Sequence, residues 1–214
     1  MIELFGGRGN SLGSLRRNDT AMALYTREAH GVFAMPLYTS QRCSALTARV
    51  RRARQWSDAE IVRHDHGAVQ SIPDPAARAA RILQGVLAAG IERELEEKIH
   101  SVVGPLIKRI WDVNLSECQG TQLVRYKPGG HYVPHTDAGA DEFANRYFTV
   151  LCYLNQDFEG GKTSFPSLNY AATPQAGKAL IFPATYLHCA EPVVRGEKLI
   201  LLSWVCGPVP IRWV

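Results

Sequence analysis

Several absences narrow the class of this chain before any motif is found. No charged start leads into an apolar stretch, and no apolar run approaches ~18 residues, so neither export nor membrane spanning is expected. The five cysteines are odd in number and scattered, which excludes a disulfide framework. Cys152, Cys189 and Cys206 sit inside apolar runs and read as reduced, buried thiols, as in a cytoplasmic protein. The glycines of Gly6 to Gly9 lack both the lysine of a phosphate loop and the spacing of a dinucleotide fingerprint. Charge of one sign is also scarce. A net +4 and a pI near 8.9 suit an anionic small partner but fall short of a nucleic-acid-binding signature. No internal repeat and no second domain is evident, and oligomeric state is left open.

What is present is core material. With 214 residues, 46% of them hydrophobic, the chain can bury one globular core. Residues 1–25, rich in Gly, Ser and Arg, read as a loosely packed arm, and 26–214 as one domain. Ser40 to Val50 has a capping residue and apolar positions three or four apart, hence an amphipathic helix. Arg49, Arg51, Arg52 and Arg54 along it read as a solvated face, because no aromatic stacking platform accompanies them. Asp74 and Pro75 supply an N-cap and a first-turn proline to a helix expected to run through Ile82 and Val86. Ile91, Leu95, Ile99, Val102, Leu106 and Ile110 continue a helical stripe, with a break expected at Gly104-Pro105. Short β runs follow: 121–127, 148–154, 162–165, 179–182 and 198–205. The reading is an α+β chain, with helical support over about 26–115 and a double-sheet jelly roll over about 120–208.

Chemistry concentrates in the jelly-roll half. His135 and Asp137, two apart in an extended piece after a Pro-Gly-Gly turn, share one face. His188 is a second imidazole. Two imidazoles and one carboxylate can cap one face of a metal octahedron and leave the other open, the donor set of non-haem Fe(II) oxygen chemistry. Lys198 and Trp204 stand ten and sixteen residues past His188. His131, beside the motif, reads as pocket lining or packing and not as a ligand. His64-Asp65-His66 is a rival metal cluster without a third ligand nearby. Its segment, Arg63 to Pro73, reads as a polar loop forming a mobile rim of a substrate pocket.

Around these residues stand Tyr126 and Gly129, Tyr153-Leu154-Asn155, Gly160-Gly161, Thr163, Phe165-Pro166 and Gly196-Glu197-Lys198. Residues 122–206 therefore resemble the catalytic domain of the prolyl 4-hydroxylase-like 2-oxoglutarate/Fe(II) dioxygenases. The resemblance implies a double-stranded β-helix with Fe(II) held by His135, Asp137 and His188. It also implies 2-oxoglutarate and O2 as co-substrates, release of succinate and CO2, hydroxylation of an unactivated C–H bond, and support by ascorbate. By the same resemblance Lys198 pairs with the far carboxylate of 2-oxoglutarate, while Tyr126, Thr163 and Tyr153 offer hydroxyls near it. Trp204 would form a wall of the site. The expected substrate is a peptidyl residue, a free amino acid or a small metabolite.

Three rivals are weighed against this. A halogenase of the fold lacks the metal carboxylate, and Asp137 argues against it. A nucleic-acid demethylase carries arginine after the distal histidine and again six residues on, where this chain has Lys198 and Trp204. A non-catalytic metal-binding jelly-roll module would not need Lys198 beside the ligand set.

Overall fold

The computed structural model describes residues 25–65, 68–139 and 143–208. The expected arm, residues 1–25, lies almost wholly outside that range, as does His66. Sixteen strands and three α-helices occur among the described residues. In chain order these are β1 (Thr26–Ala29), β2 (Val32–Pro36), α1 (Ser40–Arg51), β3 (Trp56–Asp58), β4 (Glu60–Asp65), β5 (Ala68–Pro73) and β6 (Arg81–Leu83). Then come α2 (Gly85–Lys98), a π-helical turn (Ile99–Val103), α3 (Gly104–Trp111), β7 (Cys118–Tyr126), β8 (Tyr132–His135) and β9 (Arg146–Tyr153). The chain continues with β10 (Phe158–Gly160), β11 (Thr163–Phe165), β12 (Tyr170–Ala172), β13 (Lys178–Pro183), β14 (His188–Ala190), β15 (Val193–Gly196) and β16 (Lys198–Cys206).

An eight-stranded sheet runs β1-β2-β13-β9-β16-β7-β6-β3, and a four-stranded sheet runs β12-β11-β14-β8. β16 is the centre of the large sheet and shows why a strand with no polar face is needed there. Leu199, Leu201 and Val205 point to a core shared with the helices, while Ile200, Leu202 and Trp204 point to a second core between the sheets. Both faces are covered, so the strand is apolar throughout except at Lys198 and Ser203. By this two-residue period Lys198, Tyr126, Tyr153 and Thr149 all fall on the face toward the small sheet. That parity points the functional side chains inward.

The helices cover the other face. Cys43, Leu46 and Val50 of α1, with Ala88, Ile91 and Leu95 of α2, pack against Leu123, Val150, Cys152 and Leu201. The cap of α1 is Thr39, whose hydroxyl accepts from the Arg42 N–H at 3.2 Å.

Four expectations differ from the structure. The supposed helical support of 26–115 also holds six strands, β1 to β6, two of them only three residues long. No helix runs from Asp74 through Val86. The Asp74 carboxylate accepts from the Ala76 and Ala77 N–H groups and closes a single turn. Ile82 then pairs with Val124 and Leu83 with Trp56, so sheet pairing overrides helical spacing, and α2 starts only at Gly85. The helix is not broken at Gly104-Pro105. It widens into the π turn, in which the Gly104 N–H bonds to Ile99 O, and resumes with Pro105 in its first turn, where the missing N–H costs little. Finally, 63–73 is not a loop but most of a hairpin, with β4 and β5 paired from Glu60↔Pro73 to Asp65↔Ala68.

Candidate active site

Strand register builds the donor cluster. β14 pairs with β8 so that His188 lies directly opposite His135, and the chain leaving β8 returns Asp137 to the same point. Asp137 is pinned there by its own N–H to Ala184 O at 2.8 Å. The Nε2 atoms of His135 and His188 lie 3.5 and 3.3 Å from the Asp137 carboxylate oxygens. One ligand atom from each of the three residues falls within 4.8 Å of the others. Each imidazole turns its Nδ1 to a backbone carbonyl, His135 to Val133 O at 2.8 Å and His188 to Tyr186 O at 2.9 Å. A carbonyl can only accept, so Nδ1 carries the proton and Nε2 presents a lone pair to the centre. The Thr149 hydroxyl donates to Asp137 Oδ2 at 2.6 Å.

The electrostatics suit a cation. Burial pushes the Asp137 carboxyl up, but the two histidines and the Thr149 hydroxyl outweigh it and hold the group below the usual carboxylate range. Burial pushes His188 down to about 4, which keeps it neutral and able to ligate. Two imidazoles and one carboxylate on one side of a point are the nitrogen and oxygen donors that Fe(II) takes.

An inner chamber connects this cluster to Lys198. Arg78, Tyr126, Thr163 and Lys198 line it together with His135, Asp137 and His188. Lys198 is fully buried, and its ammonium donates to one acceptor, Gly161 O, at 2.7 Å. It stands 5.0 Å from the Tyr126 ring centre and 5.7 Å from that of Tyr153. No carboxylate pairs with it among the described residues, and an ammonium has three N–H bonds to place. Burial pushes Lys198 down to about 7, against only the partial opposition of Cys189 and Glu191. A buried cation short of acceptors, across a chamber from a metal-type donor set, is complementary in charge to a small dianion such as 2-oxoglutarate.

The other sequence-derived residues take distinct places. Tyr153 stands behind the chamber wall and donates its hydroxyl to Thr163 Oγ1 at 2.7 Å. Trp204 does not line the inner chamber; it borders a wider outer groove of about 1000 Å³ that opens from His135 and Asp137. His131 bonds to Gly129 O and Ala76 O and has no part in the cluster. The β4–β5 hairpin, the expected rim, borders the outer groove through Ile61, Val62 and Ser71.

Four further residues stand at the site beyond those expected from the motifs. Arg78, nearly buried, bridges the inner chamber and the groove, donates to Glu60 O at 3.0 Å and lies 4.9 Å over the Tyr132 ring. Tyr132 in turn stacks on His135, ring centres 3.5 Å apart. Arg146 donates to Asp137 O at 3.1 Å and lies 3.9 Å over Trp204. Thr149 was findable, since it stands two residues before Leu151 and four before Tyr153 on an inward-facing strand period.

Known proteins resemble this chain in sequence and in fold. Residues 121–206 match the model of the 2OG-Fe(II) oxygenase superfamily. A putative prolyl 4-hydroxylase of Acanthamoeba polyphaga mimivirus is 34% identical over 131 residues, covering 50% of this chain and 54% of the relative. A PKHD-type hydroxylase of Synechococcus sp. (strain CC9902) is 25% identical over 174 residues, covering 78% and 72%. Among solved structures, a Trichoplax adhaerens prolyl hydroxylase in complex with a hypoxia inducible factor peptide superposes with a TM-score of 0.65 at 16% identity, covering 82% and 83%. A Pseudomonas putida prolyl-4-hydroxylase gives 0.61 at 19%, covering 86% and 94%. The structural likeness establishes a shared jelly-roll fold. Residues 121–206 are thus similar in sequence to the 2OG-Fe(II) oxygenase superfamily, and the resemblance within it is to the prolyl 4-hydroxylase-like proteins. The chain spans about half the length of the mimivirus relative.

Proposed function

We propose that this chain is an Fe(II)- and 2-oxoglutarate-dependent dioxygenase that hydroxylates an unactivated C–H bond of a peptidyl residue, free amino acid or small metabolite, releasing succinate and CO2. The observation that carries the reading is one chamber with two unlike ends, a His135–Asp137–His188 donor set and a buried Lys198 without a carboxylate. His135, Asp137 and His188 would hold the iron through Nε2 and carboxylate oxygens, and Lys198 would receive the far carboxylate of the co-substrate. The Thr163 hydroxyl, oriented by Tyr153, and the Tyr126 side chain would flank that carboxylate. Bound Fe(II) with 2-oxoglutarate and O2 supplies the C–H oxidation, which no side chain here could perform alone.

The chain's own contribution is positioning and dryness. Leu151, Ile200 and Leu202 wall the chamber against water, which strengthens each charged contact inside it. Thr149 and Arg146 fix the Asp137 carboxylate and carbonyl, so that its free face stays turned to the donor point. Ascorbate is expected to support turnover.

The test is succinate formation from 2-oxoglutarate by the purified chain with Fe(II), followed by a mass search of candidate substrates for one added oxygen atom. Iron bound with 1:1 stoichiometry but no succinate under any condition would leave only a metal-binding module.

A further inference from the structure

His131 stands outside the donor cluster, and both of its ring nitrogens face backbone carbonyls. Nδ1 lies 2.9 Å from Gly129 O and Nε2 3.1 Å from Ala76 O. A carbonyl oxygen only accepts, so each contact needs an N–H on the ring. A neutral imidazole carries one N–H and turns a lone pair toward the other carbonyl; the imidazolium satisfies both. The two bonds accordingly hold His131 above the usual histidine value, against the opposition of burial.

The two carbonyls belong to different pieces of chain. Gly129 is in the turn that leads into β8, and Ala76 in the turn that Asp74 closes. Beyond Ala76, residues 77–79 lie along β8 without forming a full strand. The Val133 N–H bonds to Ala77 O at 2.9 Å, the Ala79 N–H to His131 O at 2.9 Å and the His131 N–H to Ala79 O at 3.2 Å, while Arg78 bridges Tyr132. This short ladder carries Arg78, which gives N–H groups to Glu60 O, Gln122 and the Tyr126 hydroxyl. Arg78 also lies over the Tyr132 ring that stacks on His135. The bond from Nε2 to Ala76 O crosses the ladder, and the one from Nδ1 to Gly129 O orients the ring for it. Losing the proton costs one or the other.

The charged and titratable groups nearby are bonded elsewhere. Asp74 caps its own turn and pairs with Arg63 of β4, and Arg78 is turned inward. Lys127 meets the Gly130 N–H through its carbonyl, and Tyr132 and His135 of β8 stack on each other. Across the Gly129-Gly130 turn, which bonds to Val193, Glu191 accepts from the Ser164 hydroxyl and Arg195 pairs with Glu159. None of these side chains bonds to the imidazole.

We infer that His131 is a positioning residue: as an imidazolium it latches the 76–79 segment to the entry of β8 and so seats Arg78 against Tyr126, Tyr132 and Gln122, and loss of its proton loosens that segment. The latch goes beyond the reading above; only its effect on 2-oxoglutarate rests on it. A histidine held above its unfolded value contributes fully below pH 6.5 and loses that contribution as pH rises through the folded value.

The test is NMR of the full chain from about pH 5.5 to 8.5. The His131 ring should titrate above 6.5. Amide-exchange protection at Ala79, His131 and Val133, corrected for the intrinsic pH dependence, should fall about 2- to 10-fold across that titration, the worth of one ordinary hydrogen bond. His131→Gln, with one donor nitrogen at every pH, should show the low protection throughout. His131→Lys, charged throughout the range, should show the high one. With Mn(II) in place of iron, the 2-oxoglutarate Kd of His131→Gln should exceed that of the parent about 2- to 10-fold at the acid end and match it at the alkaline end. Lys198 titrates in both proteins and cancels from that ratio. A His131 value at or below 6.5, protection that stays level through the titration, a step that survives in either variant, or equal Kd values throughout would each overturn the inference. If no 2-oxoglutarate binds at all, the preceding reading fails, while the exchange measurement still decides the latch.

Discussion

Lys198 offers the sharpest test, because its geometry fixes both a magnitude and a pH dependence. Replacing it by alanine removes the cation opposite the metal donors. A charged hydrogen bond in a partly dry site is worth about 1.5–3 kcal/mol, so the Kd for 2-oxoglutarate should rise roughly 10- to 150-fold. Lys198→Arg should recover part of this, since charge is kept while reach and fork geometry differ. Burial holds the free lysine down to about 7, so above that pH the unliganded site is mostly neutral. A dianion binds the protonated form, and its arrival raises the lysine's pKa. Binding above pH 7 must therefore take up a proton, and Kd should climb by about tenfold per pH unit until the pKa of the complex is reached. Calorimetry at pH 6 to 9 with Mn(II) in place of iron, in buffers of different ionisation enthalpy, counts that proton. Stability should move the opposite way. The unfolded lysine binds a proton up to its ordinary pKa of 10.5 and the folded one only to about 7, so the unliganded fold gains stability as pH rises between them. Lys198→Met should remove that slope and melt higher than the parent below pH 7. A wild-type Kd flat from pH 7 to 9, or equal affinity in Lys198→Ala, would refute the reasoning.

His135→Ala and His188→Ala should each abolish Fe(II) binding and succinate formation, since two ligands cannot complete the facial set; retained iron stoichiometry in either would remove that residue from the site. Asp137→Gly should end hydroxylation, checked by product mass. Thr149→Val keeps shape but takes away the donor to Asp137, and Fe(II) affinity should fall about 10- to 100-fold with little change in the Kd for 2-oxoglutarate, both read by titration. Gly120→Ala should lower the melting temperature, because Gly120 has φ +61° and an added Cβ would stand 2.4 Å from the Trp204 ring; an unshifted melt would mean that the ring gives way freely.

The parts of this structure that the sequence discloses are those governed by short repeats. His135 and Asp137 share a face because strand side chains alternate, and the same alternation carries Lys198, Ile200, Leu202 and Trp204 inward on β16. Long apolar strands such as β9 and β16 are legible for the same reason, being buried on both faces. What hides is whatever depends on pairing across long separations. Asp74-Pro75 looks like a helix start, yet Arg81–Leu83 becomes a strand because β7, some forty residues on, offers it an edge. Arg78 sits in an unremarkable Ala-Arg-Ala-Ala-Arg stretch, and only its bridge to Tyr132 brings it to the metal donors. Trp204, expected as a wall of the site, has the inward parity but stands near the end of β16, past the chamber and over the groove.

These two kinds of legibility divide the site by function. The proposed iron and co-substrate end is built on paired strands: β8 opposite β14 sets His135 against His188, and β7–β16 pairing sets Tyr126 beside Lys198. Each position there is held by ladder hydrogen bonds on at least one flank, so a shift of one residue would turn every functional side chain to the wrong face. The outer groove is bounded instead by a two-stranded hairpin and the start of a helix whose N-cap makes no side-chain bond. Elements with few partners open at lower free energy and tolerate substitution better. The donor cluster is therefore fixed by register, while the groove is bordered by elements that register holds less closely. On that ground, charge substitutions along the groove should leave the Fe(II) titration undisturbed, whereas a register-changing substitution in β8 or β14 should abolish it. If Glu60→Lys with Glu92→Lys weakened Fe(II) binding as much as a register change in β14, the two ends would not be separable and this division would fail.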